Sequence, residues 1–248
     1  MKILFSPSES KSQESVHKSI NEDSFIFPSL YQKRLEIVNK FSVHVYNASV
    51  DELREIYGTK DEEECLRLKK LNLLNSQTIE AIQRYSGVAY EYLDFKSLSE
   101  CEKNYLYNSV LIFSNLFGPL MAKDKIPYYK LKQGSKIRDF KIEAFYKQNF
   151  SKEIDTLLQD EFVIDLRAGF YEKFYTLKQP YITMKFLKDS KVVSHWAKAY
   201  RGMILRDLAK YKPESIEEFE NIKFKNLHVK EIIESKHKRE YIFEIVEL

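Results

Sequence analysis

The chain has 248 residues, of which 44% are hydrophobic and 31% are charged, and its formal net charge at pH 7 is +3. This composition is typical of a soluble globular protein with one sizeable core. Cys65 and Cys101 lack CxxC spacing and nearby histidines, which argues against a zinc site and favours a reducing compartment. The start is too short an apolar run for a signal peptide, and residues 110–122 are too interrupted to span a bilayer. We therefore expect a cytoplasmic protein without metal, cofactor or membrane contact.

The charged residues are unevenly distributed. Residues 51–64 carry seven acids against two bases, residues 123–147 eight bases against three acids, and residues 185–212 eight bases against two acids. Such separation allows a basic face of the kind that binds a polyanion. It also fits ordinary solvated helix faces, and charge alone does not decide between the two. For DNA binding, the acidic stretch would have to face away from the DNA.

The first half of the chain is predicted to be mostly helical. Residues 2–5 form a short buried strand, followed by a polar loop to about residue 22. Helices are predicted at about 30–41, 49–57, 60–72, 76–84 and 98–115. The second, third and fifth of these begin with the spacing of a capping box, at Ser49, Thr59 and Ser99. Gly118 and Pro119 then stop the chain, and Pro127 favours an extended segment.

The second half mixes helices and strands. A helix pair is predicted at about 138–159, and strands at 161–166, 181–187 and 191–194. A helix at about 196–211, a short helix after Ser215 and a terminal hairpin of residues 224–233 and 239–246 follow. We predict one domain over residues 1–248, of the α+β or mixed α/β class, with a central sheet and surrounding helices.

Glycine is scarce, and its positions mark candidate sites. Average usage of ~7% would give roughly 17 glycines in a chain of this length, whereas six are present. A chain this sparing keeps glycine where the backbone turns left-handed or approaches another group closely. Five of the six lie in clusters of basic, aromatic and small residues: Gly87, Gly118, Gly134, Gly169 and Gly202.

Two of these clusters suit a polyanion. Residues 127–138 alternate bases and aromatics, so that cations could contact phosphates while rings stack on bases or sugars. Residues 193–206 place His195, Lys198 and Arg201 on one stripe of a predicted helix, beside the only tryptophan. An edge strand with outward lysines and a surface helix whose tryptophan covers the core remain open as alternatives.

A third cluster ends the predicted strand at 161–166. Asp165 and Arg167 precede Gly169, and ligands of α/β folds commonly bind at the carboxyl edge of the sheet. An internal Asp165–Arg167 ion pair explains the pattern equally well. No nucleophile elbow or metal-ligand spacing supports catalysis.

Six segments, taken in order, resemble the peroxide stress protein YaaA family. They are residues 3–12 (ILFSPSESKS), 84–90 (RYSGVAY), 116–118 (LFG), 127–134 (PYYKLKQG), 163–171 (VIDLRAGFY) and 193–202 (VSHWAKAYRG). The resemblance implies a cytoplasmic protein that protects against hydrogen peroxide by limiting iron-dependent damage to DNA and protein. It also implies a compact mixed fold, called the cantaloupe fold, with a positively charged cleft that binds double-stranded DNA.

A helix-hairpin-helix element is also implied, and it grips phosphates through hairpin amides. It is expected either in residues 76–115 around Gly87 or at the Gly118 turn after the 98–115 helix. Such hairpins usually carry two close glycines. The proline after Gly118 removes one donor amide there.

Two functions follow as hypotheses. The first is a non-catalytic protein that binds double-stranded DNA, largely independently of sequence, through a basic cleft; its predicted contact residues are Lys11, Arg84, Lys130, Lys132, Lys136, Arg138, His195, Lys198, Arg201 and Arg206. The alternative is an enzyme acting on a nucleotide or nucleic-acid base in a phosphate-binding pocket; its predicted residues are Ser8, Lys11, Asp165, Arg167 and His195. A long open groove favours the first, and a small closed cavity favours the second. The oligomeric state is left open.

Overall fold

The computed structural model describes residues 1–189 and 191–246, apart from the side chains of Ser194 and His195. The strands are β1 Lys2–Phe5, β2 Thr78–Glu80, β3 Val110–Ser114, β4 Gly118–Met121, β5 Lys125–Pro127, β6 Val163–Asp165, β7 Tyr181–Lys188, β8 Lys191–Val192, β9 Leu227–Glu234 and β10 Lys238–Ile245. The helices are α1 Tyr31–Asn47, α2 Val50–Tyr57, α3 Glu62–Lys69, α4 Ala81–Arg84, α5 Val88–Leu93, α6 Glu100–Ser109, α7 Ile142–Leu158, α8 Ser194–Tyr211 and α9 Ile216–Glu220. This confirms the predicted α+β class and the single domain.

The described strands form one mostly parallel central sheet and one small pair. The central sheet has the order β4-β3-β1-β6-β7-β10-β9, with β8 pairing to β7, and β2 pairs with β5. Strands β3, β1, β6, β7 and β10 are mutually parallel, whereas β4 and β9 are antiparallel to their neighbours. The carboxyl ends of β3, β1 and β6 therefore meet at one edge of the sheet.

The middle of this sheet is the centre of the core. Ile3, Leu4 and Phe5 of β1 are buried, as are all residues of β3 and β6. Strands covered on both faces are expected to be continuously apolar, which is the pattern of these segments. Helix α7 buries a stripe at four-residue spacing, from Ile142 through Tyr146 to Phe150, and contacts β4. Helix α8 contacts β7 and packs against α5.

Several predicted boundaries were wrong. The helix predicted at 98–115 begins at the Ser99 capping box but ends at Ser109, because residues 110–114 form β3 between β1 and β4. The segment 76–84 divides into β2 and α4, and 138–159 holds the single helix α7. Helix α3 is capped by Asp61 rather than Thr59. Within the described ranges, none of the helices combines the length and hydrophobicity that crossing a bilayer requires.

Candidate ligand site at the carboxyl edge of the sheet

Three loops leave the sheet at the carboxyl ends of β1, β3 and β6. Ser6 joins two of them, because its Oγ accepts a hydrogen bond from the Ala168 amide at 2.8 Å. Its main-chain oxygen accepts from the Tyr90 hydroxyl at 2.9 Å, which also fixes α5. We call this region the carboxyl-edge site; it comprises residues 6–12, 84–90, 114–117, 128–134 and 165–174.

Lys11 lies inside this site without an acidic partner. Its Nζ donates to the main-chain oxygens of Ser8 at 3.0 Å and Glu9 at 3.2 Å, and lies 4.3 Å from the ring centroid of Tyr129. Within the described residues it forms no ion pair. Burial, followed by the nearby charge of Lys130, lowers the pKa of Lys11 to about 7. The amine is therefore partly neutral at physiological pH.

Below Lys11 lies a network of buried hydroxyl groups. The Tyr129 hydroxyl donates to Asn115 Oδ1 at 3.0 Å and lies 2.9 Å from both the Tyr85 hydroxyl and Ser114 Oγ. Burial raises the pKa of Tyr85 to about 12 and that of Tyr129 further, so both phenols stay neutral. Because Tyr129 is fully buried, the expectation that its ring stacks on a nucleic-acid base was wrong. Ser114 and Asn115 were not predicted to belong to a site, although two polar residues that end an apolar run are a local signal for one.

Asp165 and Arg167 neutralise each other. Arg167 donates through Nε to Asp165 Oδ1 at 2.9 Å and through Nη2 to Oδ2 at 2.8 Å. Its Nη1 donates to the Tyr175 main-chain oxygen at 2.9 Å, and the guanidinium lies over the Phe113 ring. Both side chains are buried. The internal ion pair that the sequence left open is thus formed, and it holds the loop after β6 against the sheet.

Arg84 and Arg206, both predicted to contact DNA, are engaged with the protein itself. Arg84 is fully buried and donates to the main-chain oxygens of Ser12 and Ile126. Arg206 donates to the main-chain oxygen of Leu93 at 2.8 Å and to Ser97 Oγ at 2.9 Å. Arg84 therefore holds the loop after β1, and Arg206 holds the end of α5. Both stabilise segments that surround the site.

Three further predicted cations form no ion pair among the described residues: Lys130 belongs to the site, and Lys198 and Arg201 lie on α8, which packs against α5. Lys198 is exposed, whereas Arg201 is half-buried between solvent and the carboxylates of Asp165 and Glu172. Burial lowers the pKa of Arg201, and these carboxylates oppose the shift. The next residue, Gly202, lies so close to α5 that a Cβ would overlap the Ala89 carbonyl, which explains why α8 approaches the site so closely. The side chain of His195 lies outside the described residues.

The remaining predicted cations line an open groove beside the site. Lys132, Lys136 and Arg138 face Glu52 and Glu55 across a volume of about 590 Å³, and a second groove of about 510 Å³ adjoins it at Arg138. The segment is held to α2 by a 2.8 Å bond from the Lys132 amide to the Ile56 main-chain oxygen. Two acids of the stretch 51–64 therefore lie across this groove, where the condition that the stretch face away from bound DNA is not met, and Glu52 and Glu55 weaken the positive potential there.

One of the two predicted hairpin positions is wrong. Residues 110–121 form the antiparallel pair β3–β4, and Gly118, with φ of +70°, lies against the Tyr146 ring inside the core. The other position is the turn around Gly87, which lies between the short helices α4 and α5. That this turn forms a helix-hairpin-helix and holds phosphate stays a prediction. In the described part of the chain, no group of three His, Cys, Asp or Glu side chains is placed to hold a metal ion.

Comparison with known proteins identifies the family. A family model described as peroxide stress protein YaaA matches residues 1–232. The chain belongs to this family. An uncharacterized protein of Campylobacter jejuni is 47% identical over 247 residues, covering all of both chains. A UPF0246 protein of Corynebacterium glutamicum is 33% identical over 87% of each chain, and one of Fusobacterium nucleatum is 27% identical over 92% of this chain and 93% of its own. The resemblance found in the six YaaA-like segments is confirmed, and with it membership of a peroxide stress family.

Proposed function

We propose that this YaaA-family protein acts in the peroxide stress response by binding double-stranded DNA at the carboxyl-edge site, largely independently of sequence. The observation that carries the proposal is a set of cations that form no ion pair among the described residues. Lys11 and Lys130 belong to the carboxyl-edge site, and Lys198 and Arg201 lie on α8, which packs against α5. Cations that the protein does not neutralise are available to phosphates, and their number sets the salt dependence of binding.

The wider set of contact residues is revised accordingly. Lys132, Lys136 and Arg138 extend the surface along the adjoining groove, where Glu52 and Glu55 reduce their contribution. The openness of this groove supports a long ligand such as duplex DNA. Arg84 and Arg206 position the contact residues and are not expected to touch DNA. His195 remains a predicted contact.

DNA binding is tested by fluorescence anisotropy with a duplex of mixed sequence at several salt concentrations. We expect affinity to fall steeply with salt, and the triple variant Lys130→Glu, Lys198→Glu, Arg201→Glu to lower the log–log slope by about one for each lost phosphate contact. The matched control is Lys236→Glu, an exposed residue in the turn before β10 at the opposite edge of the sheet. A flat salt dependence, or equal losses in the triple variant and the control, contradicts the proposal.

The stress function is tested separately. We propose that bound protein limits iron-dependent oxidative damage in the cytoplasm by covering DNA. In a plasmid-nicking assay with ferrous iron and hydrogen peroxide, the wild-type protein should reduce strand breaks at concentrations at which it binds DNA. The triple variant should lose this protection, whereas Lys236→Glu should retain it. If the triple variant protected the plasmid as well as the wild type does, DNA binding would not be the cause of the protection.

A second candidate, an enzyme acting on a nucleotide or nucleic-acid base, is favoured by one observation. The Lys11 amine is desolvated and lies over Tyr129, as reactive lysines do. Of the other residues predicted for this function, Ser8 Oγ accepts from the Ser10 amide and Asp165 is paired with Arg167. Release of free base or altered nucleotide from DNA, followed by chromatography, distinguishes this candidate from DNA binding alone.

A further inference from the structure

We propose that the Lys11 amine is a nucleophile that forms an imine with an aldehyde, and that the aldehydic sugar of an abasic site in duplex DNA supplies it. The identity of the substrate depends on the DNA binding proposed above, whereas the reactivity of the amine does not. Electrostatic binding alone does not account for a lysine whose amine lies against aromatic rings and main-chain oxygens, when the exposed Lys198 provides charge in solvent.

The surroundings of Lys11 are those of an imine-forming lysine. Such lysines are desolvated, or lie beside another cation, so that the free amine is available at neutral pH. Lys11 meets both conditions: its Nζ lies 4.3 Å from the Tyr129 ring centroid and 5.5 Å from that of Tyr85, and the charge of Lys130 also lowers its pKa. Among the described residues, its hydrogen bonds are accepted by main-chain oxygens alone. With a pKa of about 7, about half of the amine is unprotonated at pH 7.

The geometry also defines the direction of approach. The aromatic rings close the inner side of the amine, whereas Glu9 and Ser10 on the outer side are exposed. A substrate therefore reaches Nζ from the loop after β1. An abasic sugar carries a phosphate on each side, and Lys130, unpaired among the described residues, lies close enough for its charge to act on Lys11 and is placed to receive one of them. An aldehyde adjoining a phosphate matches this arrangement of an amine beside a cation.

The chemical step balances without an oxidant or a reductant. The lone pair of Lys11 Nζ attacks the aldehyde carbon, and a C–N bond forms. The former carbonyl oxygen then leaves as water with the two protons of the amine, and a C=N double bond remains. Glu9, exposed and close enough for its charge to act on Lys11, is placed to exchange these protons with solvent. The reaction is reversible, so detection requires reduction of the imine to a stable amine.

The experiment is reductive trapping. Wild-type protein is incubated with a duplex containing one abasic site, with the matching intact duplex, and with free 2-deoxyribose 5-phosphate, each with sodium cyanoborohydride. We expect adducts with the abasic duplex and the free sugar, located on Lys11 by peptide mass spectrometry, and none with the intact duplex. Lys11→Arg keeps the positive charge and should reduce the adduct at least ~10-fold. The control Lys236→Arg should leave it unchanged.

The outcomes separate this inference from the proposed function. Binding of the abasic duplex without an adduct on Lys11 overturns the inference and leaves DNA binding in place. An adduct with the free sugar in a protein that does not bind duplex supports the nucleophile and overturns DNA as its substrate. Adducts spread evenly over exposed lysines, with no excess on Lys11, also overturn it. Because the wild-type peptide map locates the adduct, the test does not depend on the folding of a variant.

Discussion

The two sides of the carboxyl-edge site differ in whether their basic side chain is paired with a carboxylate. On the β6 side, Arg167 and Asp165 form a buried bidentate pair, and the third guanidinium nitrogen is bound by main-chain oxygen. On the β1 side, Lys11 is surrounded by aromatic rings and main-chain oxygens, with no carboxylate paired to it among the described residues. The charge of Arg167, which stabilises the fold, is neutralised by Asp165 within the protein. The Lys11 amine at the same edge is not neutralised by a carboxylate among the described residues, so it is available to a ligand.

The strongest test of this contrast is Arg167→Met. Removing the guanidinium leaves the Asp165 carboxylate buried without its partner, which costs about 3–5 kcal/mol of the free energy of unfolding. Urea denaturation followed by circular dichroism measures the loss. The double variant Asp165→Asn, Arg167→Met should recover much of it, because no unpaired charge then remains. A single variant as stable as wild type would show that the pair does not stabilise the fold.

The contact between α5 and α8 that brings Arg201 to the site is tested by Gly202→Ala. The added Cβ overlaps the Ala89 carbonyl, so the helices must separate, at a cost of about 1–3 kcal/mol. Thermal unfolding should show the loss, and DNA affinity should fall because Arg201 moves away from the site. Gly169→Ala is the control, since a Cβ there meets only the Glu172 side chain at 3.8 Å. Equal effects of the two substitutions would contradict the close approach of the helices.

Asp124 is an acidic counterpart of Lys11, buried and bound by the amides of Ile26 and Met121 at 3.1 Å each. Burial raises its pKa to about 7. Between about pH 4 and pH 7 the unfolded carboxyl is ionised while the folded one holds its proton, so stability falls as pH rises, by at most ~1.4 kcal/mol per pH unit. Asp124→Asn should remove this contribution. If the free energies of unfolding of wild type and variant changed with pH in the same way, the raised pKa of Asp124 would be refuted.

The smallest loss of stability is expected for Lys11→Met. The lysine is desolvated and has no ion pair to lose within the described residues, so the neutral methionine removes a desolvation cost and the free energy of unfolding at pH 7 should not fall. Because the folded pKa is lowered, the wild type gains stability as pH rises above 7, and the variant should lack this gain. Binding of abasic duplex should nevertheless weaken. A loss as large as that of Arg167→Met would remove the contrast between the two sides.

Part of this architecture could be predicted from the sequence. The buried strand at residues 2–5 and the helix starts at Ser49 and Ser99 follow from local patterns, and each was confirmed. Strand β3 was missed, because an apolar run after a capped helix is equally compatible with more helix. Pairing with β1, which is distant in sequence, and with β4, which follows after a short turn, makes this segment a strand.

The candidate site shows the same limit. The clusters containing Lys11, Tyr85 and Tyr129 were identified as separate segments, and the structure brings them together. Whether a basic side chain is bound within the protein depends on groups that are distant in sequence. Arg84 donates a hydrogen bond to the Ile126 carbonyl, whereas Lys130 has no ion pair among the described residues. No local pattern distinguishes these two cases, because both are bases beside tyrosines.

Ser6 has a practical consequence for studying this site. Its hydroxyl holds the Ala168 amide, and its carbonyl holds Tyr90, so the loops after β1 and β6 share one anchor. Hydrogen exchange at the Ala168 N–H therefore reports whether the two loops remain in contact. The exchange rate of this N–H should slow when a ligand bridges Lys11 and Lys130, and it should rise when either loop opens. A single backbone resonance can therefore report occupancy of the whole site without any label on the ligand.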